Sequence, residues 1–209
     1  MLKLRRGHTG MSLIELMVGI TIMALLMMIG LPNMAIWLNN TQIRTTGETL
    51  LAGLQLARTE AVKRNQIVRF QMVSDLTSSC AIMASGKSWV VSLDDPTGLC
   101  DSAPGEPDPG DPPPRILQVR SGSEGTERAS VAGTPAGTAY FNGLGRLTSP
   151  GGAANLTRIN ITNPAGGACE NPDGTGGPMR CLRIDISVGG EAKMCDPAVA
   201  DPTDPRICG

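Results

Sequence analysis

Histidine is almost missing from this chain: His8 is the only one in 209 residues. Beyond it there is no Ser-His or Cys-His pair for nucleophilic catalysis and no imidazole to hold a metal. No two cysteines are spaced C-x-x-C, which removes the usual zinc signature. No glycine-rich phosphate loop is present, and the carboxylates between 94 and 111 read as a soluble acidic loop, not as an acid and a base. The sequence therefore implies neither an enzyme nor a cofactor. Aromatics are also scarce. Trp37, Phe70, Trp89, Tyr140 and Phe141 are the whole set, too few to build stacking platforms for single-stranded nucleic acid. A formal net charge of −1 gives no general pull toward a polyanion.

What is present begins with an uncharged run. Glu15 is followed by no charge until Arg44, and residues 16–31 are almost wholly apolar. With residues 11–14 they make a segment of 21 residues, about the length of one bilayer-spanning helix. An ionised carboxylate at mid-membrane costs about 2.5–3.5 kcal/mol on insertion scales and less near the interface. Glu15 therefore stands out. Upstream, residues 1–10 carry Lys3, Arg5 and Arg6 and have no apolar stretch of their own. A secretory signal is cut after its apolar region. Here the one small residue at a basic-to-apolar junction, Gly10, precedes it. Cleavage there would leave the helix on the mature protein. The basic flank would keep the N-terminus cytoplasmic and send the rest across the membrane.

Gly10, the start at Met11 and Glu15 as fifth mature residue resemble the class III leader of type IV pilins and pseudopilins. Pro32 falls where many members also carry proline. The resemblance implies a prepilin peptidase as processing partner, cutting between Gly10 and Met11 and methylating the new N-terminus. It also implies an assembly role for Glu15 and Pro32, and other pilins or pseudopilins as partners through the N-terminal helix. One departure is visible: the family usually starts with phenylalanine.

Past Pro32, which should bend the helix, Ile43, Gly47, Leu50, Leu54, Ala57 and Ala61 recur at spacings of three and four. They form one apolar helical face, with Arg44, Glu48, Gln55, Arg58 and Lys63 off it. The expected organisation is a leader over 1–10, a membrane or filament-core helix over 11–31, its amphipathic continuation over 32–65, and a β-rich domain over 66–209. Strand candidates are 67–73, 80–84, 88–93, 116–120, 138–141, 146–148, 156–162, 180–188 and 191–195. Residues 121–134 read as a polar loop. Residues 94–115 hold seven prolines and six acids and cannot be a strand or helix interior.

The segments at 54–70, 88–95, 141–147 and 180–197 are similar to those of the GspH/FimT pseudopilin family. That likeness implies an α+β, pilin-like fold, a long N-terminal helix on a small antiparallel β domain. It also implies a minor subunit, priming or capping a type IV pilus or type II secretion pseudopilus, held in the inner membrane by one pass with its domain in the periplasm. Members can also bind DNA for natural transformation. Arg180, Arg183 and Lys193 are the candidate contacts here, although losing the leader takes three basic residues from 18 and leaves a net charge of −4, which argues against nucleic acid.

All six cysteines lie beyond the helix, an even set that reads as disulfides in an exported domain. With Gly189-Gly190 as a two-residue turn, Val188 faces Glu191 and Ile184 faces Cys195. Cys181 then points to the opposite face, which forbids Cys181–Cys195. The pairing expected is Cys80–Cys100, Cys169–Cys181 and Cys195–Cys208. Each bond closes a short loop, worth about 3 kcal/mol in the chain-entropy model. The first tests of the leader reading are intact mass and N-terminal sequencing of membrane-extracted protein. The mature chain should begin at Met11, N-methylated; an N-terminus beyond Leu31 would refute the leader reading.

Overall fold

The computed structural model describes residues 11–108, 110–123 and 126–209, with the backbone alone at 29–32. The leader, with Gly10, lies outside the described residues, as does the side chain of Pro32. Among the described residues one α-helix, α1 (Leu13–Arg64), is followed by eight strands and two short 3-10 turns, Pro150–Gly152 and Pro164–Gly166. Ser12 stands just before the helix, its carbonyl accepting from Leu16 N–H at 3.2 Å, and Glu15 falls in the first turn, where a negative charge complements the helix dipole. Lys63 and Arg64 do the same at the other end. The helix stops at Asn65, whose φ of 51° is left-handed, while Gln66 N–H still reaches back to Ala61 O at 3.3 Å.

The chain divides into two units, one ending at Trp37 and one over Leu38–Gly209. In the second, the strands form two antiparallel sheets. The first is ordered β3 (Ile116–Arg120), β2 (Ser88–Ser92), β1 (Val68–Val73), β5 (Thr138–Phe141). The second is ordered β4 (Ser130–Thr134), β6 (Arg158–Thr162), β7 (Leu182–Ile186), β8 (Ala192–Cys195). The chain thus leaves the first sheet after β3, lays down β4 in the second, and returns for β5.

The amphipathic stripe packs on both sheets. Ile43, Leu50, Leu54, Ala57 and Ala61 are fully buried. Two glycines set the approach. A Cβ at Gly47 would meet Met194 Sδ at 2.7 Å and Ile161 Cδ1 at 3.3 Å, both from the second sheet. A Cβ at Gly53 would meet Phe70 Cε2 at 2.7 Å and Trp89 Cε2 at 3.0 Å, both from the first. Phe70 and Trp89 pack ring to ring, centroids 5.8 Å apart. The helix-facing side of the second sheet is supplied by alternation: Ile159 pairs with Ile184 and Val131 with Ile161, all buried.

The first sheet is covered on its other side too. Gln71 and Ser92 are buried there, the Ser92 hydroxyl donating to Gln71 Oε1 at 3.0 Å. Val73, Val90 and Ile116 form a second small core with the buried Cys80 and Cys100, bordered by Leu76 and Val119. The Cys80–Cys100 bond ties the proline-rich loop over this face. A forked ion pair closes the loop at its base: Arg115 donates to Asp94 at 2.8 and 2.9 Å. The Arg115 hydrogen bonds hold the Asp94 carboxyl below its ordinary range. Glu106 bridges back to Arg64 at 2.8 Å.

Four expectations need correction. Residues 121–134 are not all loop, since Ser130–Thr134 is β4, paired along its whole length with β6. Residues 80–84 make only one bridge, Val73 to Ile82, because the Cys80 bond turns the chain toward the loop. Residues 146–148 likewise add a single bridge, Phe141 to Leu147. The last hairpin has a three-residue turn, not two. Arg183, not Ile184, faces Cys195, and Ser187 N–H bonds Glu191 O at 2.9 Å around Val188, Gly189 and Gly190. Gly190 takes φ 79°, the left-handed residue such a turn needs. Val188 is therefore an exposed turn residue.

Gly53→Val should destabilise the protein by about 2 kcal/mol, because its side chain must displace Phe70 or Trp89. Gly105→Ala, which meets nothing within 4 Å, should stay within about 0.5 kcal/mol of wild type. Urea unfolding of the detergent-solubilised protein measures both; an unchanged Gly53→Val midpoint would contradict the close-approach account.

Candidate assembly interface

The first unit presents apolar surface all round. Met11, Leu13, Ile14, Leu16, Met17, Val18, Ile20, Ile22, Met23, Leu25 and Leu26 are each more than half exposed. The Thr21 hydroxyl donates to Val18 O at 2.8 Å, so its polar group is satisfied within the helix. Glu15 is exposed among these side chains. It lies four residues after Met11, which precedes the first helical residue, Leu13. Among the described residues no single helix is long and apolar enough to cross a membrane; Leu13–Met28 and Asn33–Arg64 pass that test by length and composition only as a pair, bent by about 40° at the break between them.

At the head of the second unit the helix is held by amide side chains. Buried Asn163 donates from Nδ2 to Asn39 O and Oδ1, both at 3.3 Å. Asn40 donates to Pro178 O at 3.3 Å and accepts the Arg180 backbone N–H at 2.8 Å. Further along, Arg58 donates to Gly145 O at 3.1 Å. Sequence reasoning gave these asparagines no role. Their partners lie more than 120 residues away, and no local signal announces them.

The structure does not gather Arg180, Arg183 and Lys193 into a free basic patch. Arg180 precedes β7 rather than lying on the hairpin strands, and its guanidinium is 3.8 Å from Glu170. Arg183 donates to Asn160 Oδ1 at 3.1 Å, and Lys193 to Ile207 O at 3.4 Å. Asp185 is the ladder partner of Lys193 and pairs with Arg158 at 2.8 Å. Arg206, on the tail, is held by Asp204 at 2.7 Å, which pulls the Asp204 carboxyl down to about 2. Arg158, Arg180 and Arg206 each have a carboxylate beside them, whereas Arg183 and Lys193 are hydrogen-bonded to neutral oxygens.

The six cysteines form three bonds, Cys80–Cys100, Cys169–Cys181 and Cys195–Cys208. These are the expected pairs, although the register argument that led to them was off by one residue. Cys181 and Cys195 share the parity of Arg183, so the sheet does not separate them. Loop length and local partners decide the pairing. Asp185, Cys195 and Cys208 bring metal-ligand atoms together, but both sulfurs are spent in the disulfide and offer no thiolate.

An apolar helix whose continuation is clamped under two antiparallel sheets is the build of a type IV pilin-like subunit, α+β in class. The family model described as type II transport protein GspH matches residues 46–190, and the chain belongs to that family. The prokaryotic N-terminal methylation motif matches residues 5–31. The protein is accordingly a minor pilin or pseudopilin. Two crystal structures of the Pseudomonas aeruginosa (strain PAO1) type IV minor pilin FimU are similar at 18% identity. They match with TM-scores of 0.44 and 0.45, covering 76% and 78% of this chain and 97% and 94% of those. No curated protein matches.

DNA should bind this protein no better than the nonspecific range, about 10⁻⁴–10⁻⁶ M at physiological salt. A mobility-shift series checks this; tight binding lost on changing Arg180, Arg183 and Lys193 to Gln would reverse the assignment.

Proposed function

We propose that this minor pilin or pseudopilin is stored in the inner membrane by the helix over 11–31, its domain in the periplasm. A prepilin peptidase releases it between Gly10 and Met11 and methylates Met11. It then passes into a type IV pilus or type II secretion pseudopilus, which it primes or caps. The observation that supports this most is the first unit itself: an exposed apolar helix with one carboxylate, Glu15, near its start. In a filament of such helices that charge leaves water. An unpaired charge in low dielectric is expensive and a paired one strongly held. A neighbour's N-terminal amine is the available cation, and pairing with it rewards one axial register over others. Pro32 would let the helix bend between its membrane half and its domain half.

Glu15→Ala should insert into the membrane as well as wild type, since it makes the helix more apolar. Recovery in sheared filaments should fall about tenfold or more, the factor that about 1.4 kcal/mol of lost pairing produces. Immunoblots of membrane and filament fractions decide it; equal filament recovery for mutant and wild type would refute the pairing role.

A further inference from the structure

The uncharged run does not stop at residue 31. It continues through Asn33, Met34, Ala35, Ile36 and Trp37, and the second unit begins immediately after, at Leu38. Trp37 is 63% exposed. It is the one exposed aromatic residue among those described: Phe70, Trp89 and Phe141 are buried and Tyr140 is half-buried. Two residues on, Asn39 is already 7% exposed and bonded to Asn163, so it belongs to the folded unit.

Glu15 and Trp37 are 22 residues apart along α1, which bends by about 40° between Met28 and Asn33. At 1.5 Å per residue the path is about 33 Å, about 31 Å end to end across the bend, against about 30 Å for the hydrocarbon core of a bilayer. If residues 11–31 filled that core, Glu15 would lie about 6 Å inside it and Trp37 about 9 Å beyond it. Sliding the helix by about five residues brings both groups to boundaries. The carboxylate and the N-terminal amine then reach the cytoplasmic headgroups. The indole reaches the opposite ones, where an apolar ring with one N–H donor is favoured. The exchange takes Asn33 inside, a neutral amide in place of an ionised carboxylate.

Resting on the membrane-stored reading above, we infer that the stored subunit spans from Glu15 to Trp37, with Trp37 seated in the lipid headgroup region of the outer face. Glu15 then lies at the level of the hydrated headgroups until the helix leaves the bilayer. The carboxylate meets low dielectric only where a neighbour's amine can meet it.

The test uses the full mature chain in vesicles of phosphatidylethanolamine and phosphatidylglycerol, with bromine placed on the lipid chains near the headgroup or near the chain end. Trp89 is 3% exposed within the folded unit and serves as the internal reference. Trp37→Phe leaves only that reference. Bromines near the headgroup should quench wild-type emission at least about twofold more than they quench Trp37→Phe. Chain-end bromines should quench wild type less than headgroup-proximal ones. Equal quenching of the two proteins, with both floating with the vesicles, would put Trp37 in water and overturn this register while leaving the pilin reading intact. Stronger quenching from the chain end would also overturn it. A chain that does not float with vesicles would overturn the membrane-stored reading together with this one.

Discussion

Everything in the folded unit depends on the burial of one helical stripe against two sheets. Ile43, Leu50, Leu54, Ala57 and Ala61 lose all contact with water. A buried Leu or Ile side chain contributes about 1.5–3 kcal/mol. Two four-stranded sheets would each be a weak unit alone; the helix gives them a common face. It can serve both because its side chains shrink to glycine where each sheet comes closest, Gly47 under Met194 and Gly53 under Phe70 and Trp89. The same helix continues beyond the folded unit as exposed apolar surface, so a single element supplies core packing at one end and free apolar surface at the other.

With few aromatics, the protein covers the remaining sheet face by covalent means. The outer face of the first sheet carries a small apolar cluster, Val73, Val90 and Ile116, with the Cys80–Cys100 bond among them. A proline-rich segment cannot pair as a strand or coil as a helix. It can be tied down at points, and here the disulfide, the Asp94–Arg115 fork and Glu106 at the end of the helix do that. The tail is treated the same way on the second sheet, where Cys208 fastens it to Cys195 at the end of β8. Constraint of the unfolded chain stands in for core volume.

The electrostatics separate the two units. On the outer face of the second sheet Arg158 pairs with Asp185, and outside the strands Arg180 pairs with Glu170. Solvated pairs of this kind add little stability and leave no strong field. On the apolar helix a single carboxylate stands alone among hydrocarbon side chains. A charge in such surroundings discriminates between neighbours far more sharply than any surface pair. In the reading proposed above, the capacity for specific assembly resides in the helix more than in the charged surface of the domain.

The sequence alone determined whatever depends on local periodicity. The run around Glu15 and the stripe from Ile43 to Ala61 follow the helical period, and strands such as Arg158–Thr162 and Leu182–Ile186 follow simple alternation. The disulfide pairs were legible because each joins cysteines across one short, flexible stretch. What tertiary structure decided was everything whose stabilisation comes from elsewhere in the chain. Strand β4 reads Ser-Val-Ala-Gly-Thr and has almost no apolar pattern; it is a strand because β6 offers it a free edge. The asparagine clamp at the head of the folded unit joins residues more than 120 apart, so no local pattern could announce it. The last hairpin admits a two-residue or a three-residue turn at Gly189-Gly190. The longer one forms in contact with residues 145–147: Leu147 N–H donates to Val188 O at 3.2 Å, and Gly190 lies against Gly145 O, where a side chain would not fit. Period and loop length are properties of a segment, whereas register and strand existence belong to the pair, and the pair exists only once the chain has folded.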